Sequence, residues 1–360
     1  MHALTSYNDI DNLQLTVSTV RLIQGVILMG EIYRIKIKSL SLAAAGLIAL
    51  FATGIFGQGN QTGAKSGVLA SNAASYRTAR IDGLDIFYRE AGDPRRPTVL
   101  LLHGFPTSSF MFRDLIPRLS ANFHVIAPDY PGFGQSSMPR ADEFEYTFEN
   151  LTNVIDKFTQ SVGISKYSIY VQDYGSPIGF RLAVKHPERI ESIIIQNGNA
   201  YETGLSDAAA FLKTYGETRD PKLTEQLKGF LNVETTKFQY LHGAKDPSRI
   251  SPDTWTHDQA LLDRKGNAEI QIALFADYSS NVKAYPQWHE YFRKYQPPTL
   301  VVWGRNDPFF RVEGVEDGYK KDLKNIEVNY FDGGHFALEE YGAEIGILID
   351  RFLSRSTPKK

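Results

Sequence analysis

Tyr167-Ser168-Ile169-Tyr170-Val171-Gln172-Asp173-Tyr174-Gly175 is the stretch from which the rest of the chain can be read. From Tyr167 to Gln172, aromatic and β-branched residues alternate with small or polar ones, as in a pleated and mostly buried strand. The strand stops at Asp173. Gly175 follows two residues later, and Pro177-Ile178-Gly179-Phe180-Arg181-Leu182-Ala183 has helical spacing. Strand, one acidic residue, tight turn and helix form the layout of a nucleophile elbow. A small Gly175 lets helix and strand pack closely around a strained turn, and the turn pushes the Asp173 side chain out of the sheet edge. Such elbows usually carry Ser in the pattern G-x-S-x-G. Here the acting position is Asp, and Val171 stands where the first Gly would be. In the plainer alternative, Asp173 only caps the following helix, a role that suits Asp.

The flanking sequence decides between them. Before the elbow, Tyr76 to Ile81 and Leu84 to Arg89 read as strands joined at Asp82-Gly83, a hairpin signal. Pro97 to Leu102 is a largely apolar strand, as in a parallel sheet covered on both faces, and it ends in His103-Gly104-Phe105-Pro106. A helix is expected from Ser109 to Leu119, a strand from Phe123 to Ala127, a Gly/Pro-rich loop from Asp129 to Ser137, and a helix from Phe148 to Val162. After the elbow come a helix to about His186 and a strand from Ile190 to Gln196. This alternation predicts a doubly wound, mostly parallel α/β sheet. It breaks after Asn197, where residues 198–295 read as an inserted helical cap. It resumes with a strand at Pro298 to Trp303 followed by Gly304-Arg305-Asn306-Asp307-Pro308, and a last strand, Ile326 to Phe331, leads into Asp332-Gly333-Gly334-His335. A helix from Ala337 to Leu353 closes the core. The core is therefore expected in two parts, residues 76–197 and 296–356.

The first residues read differently. Arg34, Lys36 and Lys38 precede an apolar run from Leu40 to Phe56, with small residues at Ala52 and Gly54. Basic flank, apolar run and small residues make a secretory signal pattern, so export to the periplasm or outside the cell is expected. Met29 lies just before this segment as a second candidate start. Alternatively, residues 40–56 stay as a membrane anchor, although the run is short for a span of about 20 residues. Residues 1–57 are thus read as a leader, and the Gly-, Ser- and Asn-rich residues 58–75 as a flexible linker.

Composition narrows the function. The 360 residues are 42% hydrophobic and 12% aromatic, enough for one large core with an insertion. A net charge of −2 gives no electrostatic case for nucleic acid. The absence of cysteine excludes disulfides, thiolate catalysis and Cys-ligated zinc. The eight histidines show no metal-binding spacing, and no metal or cofactor is expected.

Three acid–base residues fall at the carboxyl ends of separate strands: Asp173, Asp307 and His335. Ligands bind at that edge of open α/β sheets. Singly, each has an ordinary alternative, Asp307 as a turn residue and His335 as a helix cap. Together, in the order nucleophile, acid, histidine, they have the α/β-hydrolase arrangement.

At this point the chain resembles a known family. His103-Gly104-Phe105-Pro106, Gln172-Asp173-Tyr174-Gly175, Gly304-Arg305-Asn306-Asp307 and Gly334-His335-Phe336 are similar to the motifs of α/β-hydrolases with an Asp nucleophile. These are the epoxide hydrolases, haloalkane dehalogenases and fluoroacetate dehalogenases. The resemblance spans about Tyr76 to Leu353. An Asp carboxylate is already ionised at neutral pH and can displace a leaving group at an sp³ carbon, forming an alkyl ester. His335, held by Asp307, then takes a proton from the water that attacks that ester. By position, the N–H groups of Phe105 and Tyr174 would hold the oxyanion.

The leaving group separates the candidates. An epoxide oxygen needs an acid, and related epoxide hydrolases use two lid tyrosines; Tyr215 and Tyr278 occupy similar positions. Both can also be read as ordinary packing residues among the nineteen tyrosines. Haloalkane dehalogenases usually place Trp after the nucleophile, where this chain has Tyr174, and Phe105 follows His103-Gly104. Trp255 remains as a candidate halide donor. Fluoroacetate dehalogenases usually place Arg where Tyr174 stands. The expected function is epoxide hydrolase-like turnover of a small apolar organic substrate with water. A haloalkane dehalogenase is the alternative. A ligand-binding protein that kept the fold without turnover is the alternative of another class.

Overall fold

The computed structural model describes residues 73–356. The expected leader, the Met29 start, the segment 40–56 and most of the linker lie outside these described residues. Eight strands form one sheet: β1 (Ser75–Ile81), β2 (Leu84–Ala91), β3 (Thr98–Leu102), β4 (His124–Pro128), β5 (Tyr167–Gln172), β6 (Ile190–Gln196), β7 (Thr299–Gly304) and β8 (Ile326–Phe331). Their spatial order is β1-β2-β4-β3-β5-β6-β7-β8. β1 and β2 pair antiparallel through a turn in which Asp82 and Gly83 both have positive φ, as a two-residue hairpin requires. β2 also runs antiparallel to β4, and all other pairs are parallel.

The apolar strands bury both faces, and their residues divide with period two. Leu100, Leu102, Ile169, Val171, Ile193, Ile195 and Val301 belong to one core cluster; Val99, Leu101, Tyr170, Ile194, Leu300 and Val302 belong to the other. Helices α1 (Phe148–Ser161) and α2 (Gly175–Lys185) cover the first face. The second face is covered by α8 (Ala337–Ser356) and by the segment after β3. That segment is not the single helix expected from Ser109 to Leu119. It forms a 3-10 turn at Ser109–Phe112 and a short helix at Ile116–Leu119. The Ser108 side chain caps the turn, and Pro117, which has no N–H, restarts the helix in its first turn.

The insertion between β6 and β7 carries α3 (Asp207–Thr218), α4 (Pro221–Gly229), α5 (Val233–Leu241), α6 (Asp253–Leu262) and α7 (Asn267–Tyr295). α7 has 29 residues and continues through Pro286. Its first half packs against α3, while Trp288 and Phe292 in its second half pack on Phe180 of α2. Arg181 joins the two layers, donating to Asn281 Oδ1 at 2.7 Å and to Ser280 Oγ at 3.1 Å. Among the described residues, no helix is long and apolar enough to cross a membrane.

Candidate active site

β5 is buried along its length and delivers Asp173 with φ of 47°, in the left-handed region. For a residue other than glycine this costs about 1–3 kcal/mol, and it persists only where the surroundings hold it. Here Asp173 N–H donates to the Asn197 carbonyl at 3.3 Å, and Ser176 N–H donates to the Asp173 carbonyl at 3.0 Å. The turn also depends on two close approaches. A Cβ on Gly175 would lie 2.1 Å from the Leu102 carbonyl oxygen, and one on Gly104 would lie 2.3 Å from the Asp173 Cβ. The tight elbow read from the sequence is therefore present, and Gly104 brings the loop after β3 against it.

The two oxygens of the Asp173 carboxylate differ. Oδ1 accepts the Phe105 N–H at 2.7 Å, and the Tyr174 N–H also bonds to this carboxylate. Oδ2 faces His335 Nε2 at 3.8 Å. Both N–H groups expected to hold an oxyanion thus converge on Asp173. Burial pushes the carboxyl above its ordinary pKa; the His335 and backbone N–H contacts oppose this, and the Asp307 charge adds to it.

His335 follows β8 and is almost completely buried, with Phe309 and Phe310 ring centroids 5.2 and 5.8 Å away. Its Nδ1 lies 2.8 Å from Asp307 Oδ2. That oxygen also accepts Asn197 Nδ2 at 2.8 Å, and Oδ1 accepts the N–H groups of Phe309 and Phe310 at 2.7 and 3.1 Å. A carboxylate accepting four bonds places the imidazole proton on Nδ1, which leaves the Nε2 lone pair on the Asp173 side. Burial lowers the basicity of His335, but the Asp307 charge and hydrogen bond and the Asp173 charge outweigh it, so the net shift is upward. The three residues expected from strand ends are therefore brought together.

Several residues build this site whose roles the sequence did not assign. Asn197, with φ of 43°, clasps the β7 end by accepting from Gly304 N–H at 2.9 Å and donating to its carbonyl at 3.0 Å. Gln172 Nε2 lies 2.9 Å from His335 Nε2, where an amide N–H meets the imidazole lone pair. His103 is completely buried, stacks on Tyr130 at 4.1 Å, and donates from Nδ1 to the Gly104 carbonyl at 3.0 Å. Burial pushes its pKa down to about 3, so it serves as a neutral brace for the loop that carries Phe105. A polar residue directly after a strand, as Asn197 is, was the available signal.

The cap contributes unequally. Tyr278 on α7 is buried, the Asp173 charge acts on its phenol, and its hydroxyl bonds to that of Tyr285. Tyr285, two turns further along the same helix, accepts Asn199 Nδ2 at 3.2 Å. Burial raises the Tyr278 pKa well above its ordinary value, which keeps the phenol protonated. Tyr215 is not brought into this group. Its hydroxyl lies 2.9 Å from Thr224 Oγ1, and the Thr224 hydroxyl donates to the Asp220 carbonyl at 3.0 Å. The Tyr215 proton is therefore committed to Thr224. Tyr215 sits in the last turn of α3, and its hydroxyl meets Thr224 of the adjoining α4. Trp255 lies apart as well, packing with Tyr240 at 6.3 Å and under Lys237 Nζ at 5.7 Å. Among the described residues, no group of three or more His, Asp or Glu side chains could hold a metal ion.

Comparison with known proteins agrees with this architecture. Residues 97–341 match the family described as alpha/beta hydrolase fold. An uncharacterized hydrolase of Saccharomyces cerevisiae is 46% identical over 264 residues, which is 72% of this chain and 90% of that protein. Haloalkane dehalogenase 2 of Mycobacterium tuberculosis is 39% identical over 267 residues, or 71% and 88% of the two chains. The crystal structure of haloalkane dehalogenase DbeA from Bradyrhizobium elkani superposes with a TM-score of 0.66 at 22% identity, over 78% of this chain and 98% of that one. The chain belongs to the α/β-hydrolase fold family. Within it, the chain is a hydrolase of the haloalkane dehalogenase and epoxide hydrolase type.

Proposed function

We propose that this hydrolase opens small apolar epoxides by forming an alkyl ester on Asp173, which water activated by His335 and Asp307 then hydrolyses. The observation that carries the reading is the asymmetry of the Asp173 carboxylate, with Oδ1 tied by the Phe105 N–H and Oδ2 left facing His335. Oδ2 attacks an epoxide carbon, the C–O bond breaks, and the electron pair goes to the ring oxygen, which takes a proton from Tyr278. Water then attacks the ester carbonyl while His335 Nε2 accepts its proton. The charge on the carbonyl oxygen is met by the N–H groups of Phe105 and Tyr174. Collapse returns the His335 proton to the departing alkoxide and frees the diol. The proton left on Asp173 restores Tyr278.

The choice of an epoxide is supported by the phenol of Tyr278 near Asp173 and by the absence of indole at Tyr174 and Phe105. Dehalogenation of haloalkanes is the second reading, favoured by the likeness to haloalkane dehalogenase 2. The first test is mass spectrometry of His335→Gln incubated with epoxides and with haloalkanes. An adduct on the peptide containing Asp173 is expected with the epoxide, and wild-type protein should release diol. Halide and proton release from haloalkanes, without diol formation, would select the second reading. No adduct with either class, together with ligand binding unaffected by Asp173→Ala, would refute both in favour of a non-catalytic binding protein.

A further inference from the structure

We propose that the Tyr174 side-chain hydroxyl is a second proton-donating group on the leaving oxygen, so that Tyr174 serves the reaction through its side chain as well as its backbone. The assignment rests on the epoxide reading above. Tyr174 directly follows the nucleophile and has helical φ and ψ at the start of α2, so its backbone is fixed by the elbow. Its ring is held edge-on to Phe148 at 4.8 Å and to Phe133 at 6.5 Å, with Phe105 tilted at 5.9 Å. The residue is 3% exposed, yet among the described residues its hydroxyl has no hydrogen-bond partner.

A buried hydroxyl left unpaired is destabilising, because it has given up its bonds to water without replacement. In a wall made of Phe105, Phe133 and Phe148, a phenylalanine would fill the same place without that cost. Buried polar atoms left unpaired in this way call for an explanation. The surroundings indicate one. The Asp173 charge acts on the Tyr174 phenol, and the Tyr174 phenol in turn acts on that of Tyr278. Burial holds both in the protonated, donating form. Tyr215, the other phenol suggested by sequence, has its proton committed to Thr224.

The balance of the step is that of a two-donor acid. Asp173 Oδ2 forms its bond to carbon as the epoxide C–O bond breaks. One phenol transfers its proton to the ring oxygen, and the other stabilises that oxygen by a hydrogen bond. After ester hydrolysis, the proton on the Asp173 carboxyl returns to the phenolate. No further reactant is needed.

The test is single-turnover rapid-quench mass spectrometry with styrene oxide, following the peptide that contains Asp173. It resolves ester formation from ester hydrolysis in the wild type, Tyr174→Phe, Tyr278→Phe and the double variant. Tyr174→Phe is expected to slow ester formation roughly 10²-fold, the lower range for loss of a general acid, while leaving ester hydrolysis unchanged. Its melting temperature should match or exceed that of the wild type, because an unpaired buried hydroxyl has been removed. The double variant should form no ester. Ester formation at the wild-type rate in Tyr174→Phe would overturn the assignment alone, as would equal slowing of both steps, which marks a displaced ring. Absence of any ester in the wild type would overturn the epoxide reading together with it.

Discussion

Asp307 sets the acid–base behaviour of His335. Its carboxylate accepts from the imidazole, from Asn197 and from two backbone N–H groups, and its charge is the main influence that raises His335 against burial. In the proposed mechanism His335 must be neutral to take a proton from water, so ester hydrolysis should rise with pH through the raised pKa and level off above it. The limb is expected above the ordinary imidazole value of about 6.5. In Asp307→Asn the limb should move to lower pH, because burial then acts without the opposing charge. The plateau should fall by roughly 10⁴-fold, the loss typical when a triad carboxylate becomes an amide. A pH–rate profile of the hydrolysis step checks both, and an unmoved limb would contradict the role given to Asp307. At this scale the sequence revealed residues whose type and strand-end position coincide, Asp173, Asp307 and His335. Gln172, Asn197 and Tyr285 were not legible, because their partners lie far away in the chain and no periodicity marks such pairs. Tyr215 misled because sequence position does not reveal which neighbouring helix a hydroxyl faces.

The elbow and the α5–α6 pair show what single elements contribute. Replacing Gly175 by Ala would press a Cβ against the Leu102 carbonyl oxygen, so Gly175→Ala should lose about 3 kcal/mol of stability by denaturant titration. α6 carries Asp258, completely buried, with Tyr240 of α5 donating to one carboxyl oxygen. Burial pushes Asp258 up to about 8, opposed by the Tyr240 and Thr107 hydrogen bonds and aided by Glu339. Its folded pKa lies above the unfolded carboxylate value. The stability it contributes is therefore complete in acid and lost as pH rises from the carboxylate range to about 8. Asp258→Asn, which cannot ionise, should melt higher than the wild type at pH 8.5, with the difference vanishing near pH 4. Each kcal/mol recovered corresponds to roughly 2–4 °C. Calorimetry at the two pH values is the check; an equal difference at both would contradict it. The strands were legible as elements because their apolar runs are bounded by Gly, Pro and Asp. The split of residues 109–119 and the short π-helix Val315–Tyr319 were not legible, since local capping and packing decide them.

At the scale of the molecule, the sheet, the cap and all residues of the site lie within residues 73–356. A chain starting near residue 73 is expected to keep the melting temperature and turnover of the longer one, measured side by side. Loss of folding on that truncation would contradict it. Residues 1–57 are proposed to direct export. Terminal sequencing of protein recovered outside the cytoplasm should find this leader removed, whereas an intact terminus in a cytoplasmic fraction would count against export. The doubly wound order and the position of the insertion were readable from the alternation of strands and helices. The reach of α7 was not readable, because nothing in its sequence shows that its second half packs on Phe180 of α2. That reach has a consequence for how such an enzyme could diversify. Tyr278 stands on a helix whose far end packs beside Phe180, on the helix that starts at the elbow, so in the proposed mechanism one frame sets the spacing of acid and attacking oxygen. α4, mostly exposed along Pro221–Gly229, stands outside that frame, so its sequence can change while the frame is inherited intact.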